Sequence, residues 1–363
     1  MLVKLKRITV QLLMGANLST ILLMLFIGYS DRFDPTKHQL LANAGLVFPV
    51  VLLANFVFLV FWLCTKKRMA WLPFAGYVVC YGPIRAYCPV NIPQDAPPQS
   101  VKVMSYNVWS FAGWERHANG KFPILEYIKA QHPDLLCLQE AMTYEIGQAR
   151  VDSVLDKLFA YKDTLKFSAQ SDVIAVYSKY PILSHERIAY PSRGNLSGAF
   201  YIKMGRDTVL VINNHLETTG LSSEDKREFR SMMKGKLNGD AAKRTSYRLI
   251  DKLGEASSKR AVQANAVANY VSGHLNHSII LCGDFNDTPI SYAHHTIGRH
   301  LTDCYIAAGN GPGVSYHKAG MYVRIDHIMV TPDWKPYRCV VDNRIKTSDH
   351  YPIICWMKRV TKP

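Results

Sequence analysis

Three long apolar runs dominate the first ninety residues of the chain. The runs at 8–29 and 40–64 are each long enough to cross a bilayer core, which takes about 20 helical residues. The run at 69–87 is shorter and contains two prolines, which membrane helices tolerate. A cleaved signal peptide is the alternative for the first run, but its length and the second run argue against it. We therefore predict a transmembrane module over residues 1–88, with three helices or, alternatively, two.

Basic residues flank these runs and predict their orientation. Three precede the first run, three follow the second, and the loop between them at 31–38 has balanced charges. The positive-inside rule then places the N-terminus and the Lys66–Arg68 cluster in the cytoplasm. The third run carries aromatic residues typical of membrane interfaces, which favours three spans: Trp71, Tyr77, Tyr81 and Tyr87. We therefore predict a multi-pass membrane protein whose remaining chain lies on the extracytoplasmic side.

Residues 89–100 contain four prolines and predict an extended linker to a domain at 101–363. In that domain, short apolar segments typical of strands alternate with segments that are apolar at helical spacing. The predicted strands are 101–108, 134–139, 173–178, 198–204, 208–215, 278–283, 324–330 and 351–357. The helical faces are Ile124, Leu125 and Ile128, then Val151, Val154, Leu155 and Leu158, then Ala261, Ala264, Val267 and Val271. This mixture indicates an α/β layered domain.

The first candidate for chemistry is the end of an apolar run, Gly283-Asp284-Phe285-Asn286. The glycine allows a turn where the strand ends. Asp284 and Asn286 are two residues apart, so on an extended chain they point the same way. A carboxylate and an amide held there can position a water molecule and a phosphoryl oxygen. The alternative for this segment alone is an ordinary Asp/Asn turn.

Five other predicted strands also carry polar side chains on or beside them. They present Asn107 at the end of the first strand, Glu140 after the second, His215 at the end of the fifth, Asp326 in the seventh, and Asp349 and His350 before the last. A single histidine beside a strand is more often structural than catalytic. Six such segments in one chain point instead to a shared site.

In this order, the segments resemble the endonuclease/exonuclease/phosphatase superfamily, which includes DNase I-like nucleases, neutral sphingomyelinases and inositol-polyphosphate phosphatases. The resemblance covers roughly residues 99–358, and its carriers are Gln139-Glu140, His215, Gly283-Asp284-Phe285-Asn286 and Ser348-Asp349-His350. It implies a four-layer α/β sandwich, in which two packed mixed sheets are flanked by helices. It also implies a metal-dependent hydrolase of phosphoester bonds.

The resemblance assigns roles to the candidate residues. Glu140 would be the principal metal ligand, with Asn107 and Asp349 nearby, and these oxygen ligands suit Mg²⁺ or Mn²⁺. Asp284 would orient or deprotonate the attacking water, and Asn286 would donate to a phosphoryl oxygen. The remaining roles are these: His215 would contact the phosphate, His350 would do the same or act as general base, and Asp326 would fix the His350 tautomer and raise its pKa. The alternative for Asp326 is a buried structural acceptor.

Some polar residues fit this pattern poorly. The acidic partner expected for the first catalytic histidine has no clear match, and Asp172 is only a weak one. His327 should point to the opposite strand face from Asp326. His294 and His295 look like surface histidines on a short helix. These departures leave the substrate subclass open.

The net charge of +15 includes +7 from residues 1–90, so the predicted domain is mildly basic and suits an anionic phosphate substrate. The leading hypothesis is a membrane-anchored phosphodiesterase or phosphatase acting by in-line water attack. Its substrate would be a lipid headgroup, a nucleic acid or a small phosphorylated metabolite, and membrane tethering modestly favours a lipid. A nuclease ranks second because Lys and Arg form no clear stripe. A non-catalytic phosphate-binding module is the alternative of another class, and no protein partner can be inferred.

Two further features are ambiguous in the sequence. The basic stretch at 224–260 is interrupted by Gly235 and Gly239, and it suggests a mobile surface insertion or a flap beside the active site. The eight cysteines show no metal-binding spacing, and they leave a Cys304–Cys339 disulfide open.

Overall fold

The computed structural model describes residues 2–115, 120–168, 172–236, 238–318 and 320–360. Its first part, which we call the helical segment (residues 2–88), contains α1 (Leu2–Gly28), α2 (Phe48–Thr65), α3 (Trp71–Val79) and α4 (Tyr81–Tyr87). By length and composition, α1 and α2 with their flanking turns could each cross a membrane.

The third apolar run does not form the single helix that we predicted at 69–87. It is divided at Cys80 into α3 and α4. Pro83 lacks the amide hydrogen that would bond the Val79 carbonyl, so a regular helix cannot continue through this point. That carbonyl instead accepts a hydrogen bond from the Tyr29 hydroxyl at 3.1 Å. The number of membrane spans and the proposed domain boundaries remain predictions.

Residues 101–360, which we call the α/β body, contain two six-stranded sheets with flanking helices. The elements are β1 (Val101–Asn107), α5 (Pro123–Gln131), β2 (Leu135–Gln139), α6 (Gln148–Leu155), β3 (Tyr161–Lys166), β4 (Val173–Ser178), β5 (Ile182–Ile188), β6 (Leu196–Met204), β7 (Asp207–His215), α7 (Ser223–Met233), α8 (Gly239–Gly273), β8 (Ser278–Asp284), α9 (Tyr292–Ile297), β9 (Thr302–Asp303), α10 (Cys304–Ala308), β10 (Asp326–Val330), β11 (Trp334–Val341) and β12 (Ile353–Arg359). The strand orders are β11-β12-β1-β2-β4-β3 and β5-β6-β7-β8-β10-β9.

Both sheets are mixed, because β1 and β2 are parallel, as are β7 and β8, whereas the other neighbours are antiparallel. One apolar core lies between the sheets, and two more lie under the helices on their outer faces. The predicted fold class is therefore confirmed. All eight cysteines lie in the described residues and none forms a disulfide, so Cys304 and Cys339 are buried free thiols.

The eight predicted strands are present within two residues of their predicted ends, but four strands were missed. The missed strands are β3, β5, β9 and β11, and they are the four sheet edges. Edge strands such as β5 expose most of their side chains and do not carry a long apolar run.

The basic stretch at 224–260 is helical rather than an irregular insertion. A capping box starts α7, in which the Ser222 side chain accepts from the Asp225 amide and Asp225 accepts from the Ser222 amide. The Asn238 side chain caps α8. Gly235 lies between the two helices, and Gly239 is the first residue of α8.

The helical segment is bound directly to the α/β body. The buried Arg324 guanidinium donates to the carbonyls of Ala86 and Tyr87 at the end of α4. Ile290, in the loop after β8, packs into a cluster inside the helical segment. The amide group of Asn91 donates to the carbonyls of Ile306 and Gly309, so the start of the predicted linker lies along the body.

Candidate active site

Six strand ends bring the predicted residues to one edge of the two sheets. The parallel strands β1 and β2 end at Asn107 and Gln139, and the parallel strands β7 and β8 end at His215 and Asp284. Strand β10 runs antiparallel to β8, so its first residue, Asp326, is paired with Asp284. Because side chains alternate along a strand, these residues share the face between the sheets.

The Asp284 carboxylate lies at the centre of the arrangement. Its Oδ2 atom is 3.7 Å from His215 Nε2 and 3.5 Å from His350 Nε2. It also accepts a hydrogen bond from Asn107 Nδ2 at 3.1 Å. The same Asn107 group donates to Glu140 Oε1 at 3.0 Å, and Glu140 Oε1 is 3.9 Å from His215 Nε2. Six of the eight predicted site residues thus form one contact network, which is completed by Asp326 on His350.

Each histidine is held by a carboxylate on its other nitrogen. His350 Nδ1 bonds Asp326 Oδ2 at 2.8 Å, and His215 Nδ1 bonds Asp172 Oδ2. In both cases Nε2 is therefore directed toward Asp284, and a proton on Nδ1 is fixed by the carboxylate.

Asp172 is the residue that sequence reasoning undervalued. It directly precedes β4, which runs antiparallel to β2, so the start of β4 lies beside the end of β2. The sequence signal for Asp172 was a carboxylate just before an antiparallel strand. The other candidates in the first part of the body, by contrast, lie at or after the end of a strand.

The carboxylates control the charge of both imidazoles. Burial alone would lower the pKa of His215, but Asp172, with Asp284 and Glu140, raises it to about 10. Burial likewise acts to lower the pKa of His350, but Asp326 and Asp284 hold it well above its usual value. Burial raises the pKa of Glu140, and His215 and Asn107 oppose that effect. The neighbouring carboxylates therefore favour the protonated form of both imidazoles.

The remaining two predicted residues lie beside this network. The backbone N–H of Asn286 donates to Asp284 Oδ1 at 2.8 Å. The side-chain Nδ2 of Asn286 donates to the Leu216 carbonyl at 3.1 Å. Asp349 is half-buried, and its carboxylate contributes to the raised pKa of His350.

Backbone strain is concentrated around the site. Among the described residues, eight other than glycine have positive φ, and six of these adjoin the site: Glu140, Asn286 and the four residues Trp109–Ala112. Such conformations cost of order 1–3 kcal/mol each and persist where surrounding structure enforces them. They set the direction of Glu140 and Asn286 as each strand ends.

The donor set suits a hard divalent cation. Glu140 and Asp284 both turn an oxygen toward the same amide group of Asn107. Asp326 Oδ1 is buried and has no hydrogen-bond partner within the described part of the chain. Asn107 Oδ1, in contrast, accepts from the Trp109 amide at 3.1 Å, so as placed Asn107 is a donor between carboxylates. Its assignment as a metal ligand remains a prediction, as do those of Glu140 and Asp349.

Helix α7 reaches the site from outside the predicted set. Lys226 Nζ is 3.1 Å from the Tyr316 hydroxyl, and the Tyr316 ring packs edge-on against His350 with centroids 5.2 Å apart. Helix α7 therefore lies beside the site, where the flap alternative for the basic stretch would place it.

His294 is a correction to the sequence analysis. It is buried rather than on the surface, and its Nε2 lies 2.8 Å from Asp303 Oδ2. His327 lies next to it and, as predicted, faces away from the site that contains Asp326. His295 is partly exposed and faces Asp31 at 3.3 Å.

Comparison with family profiles covers both the helical segment and the α/β body. The profile of the endonuclease/exonuclease/phosphatase family matches residues 104–350, and a profile described as a domain of unknown function matches residues 10–87. No curated protein matches the chain.

The chain also aligns with several solved structures. An endonuclease/exonuclease/phosphatase from Beutenbergia cavernae DSM 12333 is 17% identical, with a TM-score of 0.51 over 72% of this chain and 72% of that chain. Truncated Caenorhabditis elegans TDP2 is 16% identical, with a TM-score of 0.49 over 72% of this chain and 99% of that chain. The human Nocturnin catalytic domain with bound sulfate anion is 14% identical, with a TM-score of 0.48 over 73% of this chain and 97% of that chain.

Proposed function

Because this chain belongs to the endonuclease/exonuclease/phosphatase family, whose members are metal-dependent phosphoester hydrolases, we propose that it is a membrane-anchored enzyme hydrolysing a phosphodiester or phosphomonoester by in-line attack of water. One observation carries this proposal: two histidines, each held by its own carboxylate, direct their Nε2 atoms toward Asp284. A non-catalytic phosphate-binding module would not need both orienting carboxylates.

The proposed ion is Mg²⁺ or Mn²⁺, held by Glu140 with Asn107 and Asp349. When bound, it would offset the negative charge of the phosphoryl group. Its ligands would be oxygen atoms, for which both ions have a preference. Asn107 would present Oδ1 by rotation of its amide, because its Nδ2 now faces Glu140 and Asp284.

The protein groups would act on the phosphate and the water. Protonated His215 and His350 would donate Nε2–H to phosphoryl oxygens and stabilise the charge that grows there. Asp284, which lies between them, would orient the water for in-line attack or take its proton. Asn286 would donate to a phosphoryl oxygen after its side chain turns from the Leu216 carbonyl. Asp326 and Asp172 would keep the two imidazoles oriented and protonated on Nδ1.

Membrane anchoring is supported by the inverted polarity of the helical segment. Apolar side chains such as Leu12 and Val50 are largely exposed, whereas Asn17 and Asn55 are fully buried and hydrogen-bonded to each other at 3.2 Å. Polar residues that join helices inside an apolar exterior are typical of membrane bundles. We propose that this segment spans a bilayer and that the α/β body lies on the extracytoplasmic side. A reporter that works only outside the cytoplasm should be active when fused to the C-terminus. Activity of a reporter that works only in the cytoplasm would instead place the α/β body on the cytoplasmic side.

The substrate class that fits a membrane-bound site best is a phosphorylated lipid headgroup, with nucleic acid as the second candidate. The loop after β8, which follows Asp284 and Asn286, packs against the helical segment through Ile290. The site is therefore held close to the proposed membrane anchor. Detergent-solubilised protein should be assayed on sphingomyelin-like lipids, inositol phosphates, DNA and RNA, with Mg²⁺ and with EDTA. Turnover of nucleic acid but of no lipid would favour the second candidate.

Glu140→Ala tests the reaction class. We expect this change to abolish metal-dependent hydrolysis of a generic chromogenic phosphodiester while the far-UV circular dichroism stays unchanged. Glu126→Ala is the matched control, because Glu126 lies on α5 and pairs only loosely with Lys121, at 3.7 Å. Turnover of the Glu140 variant at the rate of the control would reject the metal assignment.

A further inference from the structure

A second group of histidine and carboxylate side chains lies on the outer face of the second sheet, under α9. It consists of His294 on α9, Asp303 at the end of β9 and His327 on β10, and all three are buried. Their nearest ligand atoms lie within 4.8 Å of one another. None of these residues belongs to the phosphoester site, because His327 faces the opposite side of β10 from Asp326.

One ring nitrogen of His327 has no hydrogen-bond partner among the described residues. Its Nε2 lies 3.1 Å from the Asp287 carbonyl oxygen, which can only accept, so Nε2 carries the proton. Its Nδ1 faces Asp303 Oδ2 at 3.5 Å and has no hydrogen-bond partner among the described residues. In a neutral imidazole this places a bare lone pair opposite a buried carboxylate. The other tautomer would place the lone pair opposite the Asp287 carbonyl instead.

A cation would resolve this conflict, either as a second proton on His327 or as a metal ion between the three side chains. His327 is fully buried, and a buried site without bulk water disfavours the charged imidazolium. A metal ion bound to Nδ1 would leave Nε2–H on the Asp287 carbonyl undisturbed. That carbonyl would then orient the ligating imidazole, as outer hydrogen-bond partners do at metal sites.

The spacing and chemistry of the group indicate which ion fits. We propose that His294 Nε2, His327 Nδ1 and Asp303 Oδ2 bind one Zn²⁺ ion. Two ligand atoms on a tetrahedral zinc, with bonds of about 2.0–2.1 Å, lie about 3.3 Å apart. The two pairs that include Asp303 Oδ2 are at 2.8 and 3.5 Å, on either side of this value, and all three atoms lie within 4.8 Å of one another. Two imidazoles favour zinc over Mg²⁺, which prefers oxygen ligands.

Such an ion would be structural rather than catalytic. Asp303 also caps α10, since its Oδ1 accepts from the Ile306 amide at 2.8 Å. The ion would therefore join α9, the start of α10 and β10 behind the phosphoester site. A fourth ligand position would be left for water or for the second oxygen of Asp303.

Metal analysis of the full-length protein tests this proposal. The protein should be purified in detergent with a tag that contains no histidine, dialysed against a metal-free buffer, and analysed by mass spectrometry for zinc, iron, nickel, manganese and magnesium. We expect one zinc per chain. A Co²⁺-exchanged sample should show the visible absorption of a tetrahedral site.

Variants distinguish this group from other zinc-binding sites. His327→Gln and Asp303→Asn should weaken zinc binding at least about 100-fold, as loss of a ligand costs more than loss of an outer partner. Asn at 303 can still cap α10, so the fold should persist by circular dichroism. His295→Gln is the matched control, because His295 is the next residue on α9 and faces Asp31. Glu140→Ala should also keep its zinc.

Two results would overturn the proposal. Folded wild-type protein without zinc and without the Co²⁺ absorption would assign a protonated His327 to the group. Zinc retained equally by His327→Gln and Asp303→Asn would place the ion elsewhere.

Discussion

Two neighbouring residues of β10, Asp326 and His327, belong to different sites on opposite faces of one sheet. Asp326 faces the gap between the sheets, where it meets His350 and, beyond it, Asp284. His327 faces the outer layer, where it meets His294 and Asp303. The alternation of side chains along a strand is enough to separate them.

The two faces of the sheet differ in the hydrogen bonds that their histidines form. His350 has a carboxylate at 2.8 Å on Nδ1, whereas Nδ1 of His327 faces its carboxylate at 3.5 Å without a hydrogen bond. The inner face is rich in carboxylate and amide oxygens at the strand ends, which suits a hard ion. The outer face is rich in nitrogen and closed by α9, which suits a permanently bound ion. The same residue types therefore support different uses, depending on their neighbours and on which atom is left without a hydrogen-bond partner.

The largest expected effect is on the inner face. His350→Ala should lower the rate of phosphoester hydrolysis by about two to four orders of magnitude, because it removes an acid/base or charge-stabilising group. Steady-state kinetics measure this rate. His300→Ala is the control, because His300 is an exposed histidine that follows α9. A wild-type rate would remove His350 from the mechanism.

On the outer face we expect loss of stability instead of activity. Asp303→Asn should lower the free energy of unfolding by about 2–3 kcal/mol, since the buried negative charge of Asp303, beside His294 and at the proposed ion, is lost. Thermal unfolding in detergent measures this against Asp207→Asn, whose exposed pair with Arg359 should be worth under about 1 kcal/mol. A large fall in activity with unchanged stability would contradict the separation of the two faces.

Asp326→Asn should move the titration of His350. The Asp326 carboxylate helps to raise the pKa of His350, so its removal should lower that pKa. If the imidazolium is the active form, activity lost with rising pH should be lost at a lower pH in the variant, with a rate deficit of about 10- to 100-fold. Histidine NMR of the metal-free protein and the pH profile of kcat/KM measure the two effects. A titration of His350 identical in both proteins would exclude this coupling.

The smallest effect is expected at the boundary of the site. Lys226→Ala should lower kcat/KM by about fivefold, corresponding to about 1 kcal/mol, because Lys226 supports the Tyr316 ring against His350. Lys243→Ala, at an exposed position of α8, is the control. Equal kcat/KM values for the two variants would show that Lys226 on α7 does not contribute to the reaction.

Sequence reasoning succeeded where a residue's neighbours along the chain determine its place. Central strands are long apolar runs, so their ends, and the polar residues on them, could be located. The edge strands β3, β5, β9 and β11 were missed because one or both of their faces meet solvent. The confirmed fold class followed from the family resemblance more than from the pattern, since periodicity does not show how two sheets pack.

Partners contributed by distant segments could not be predicted in the same way. Asp172 meets His215 only because β4 reverses direction beside β2. His294 looked like a surface residue because its helix is short, and its burial depends on Asp303 and His327, which come later in the chain. Lys226 reaches Tyr316 across ninety residues of sequence. Such pairings depend on topology, which local composition does not encode.

The Arg324 contact has a practical consequence for anyone who wishes to crystallise this protein. In a fragment starting at residue 101, the Pro312 carbonyl, at 2.7 Å, would be the one acceptor left among the described residues for a guanidinium that is 3% exposed. The same truncation would uncover Ile290, which is 2% exposed in the intact chain. Soluble expression would therefore require resurfacing both positions, for example by replacing them with small polar residues, and simple removal of the N-terminal helices should yield aggregating material.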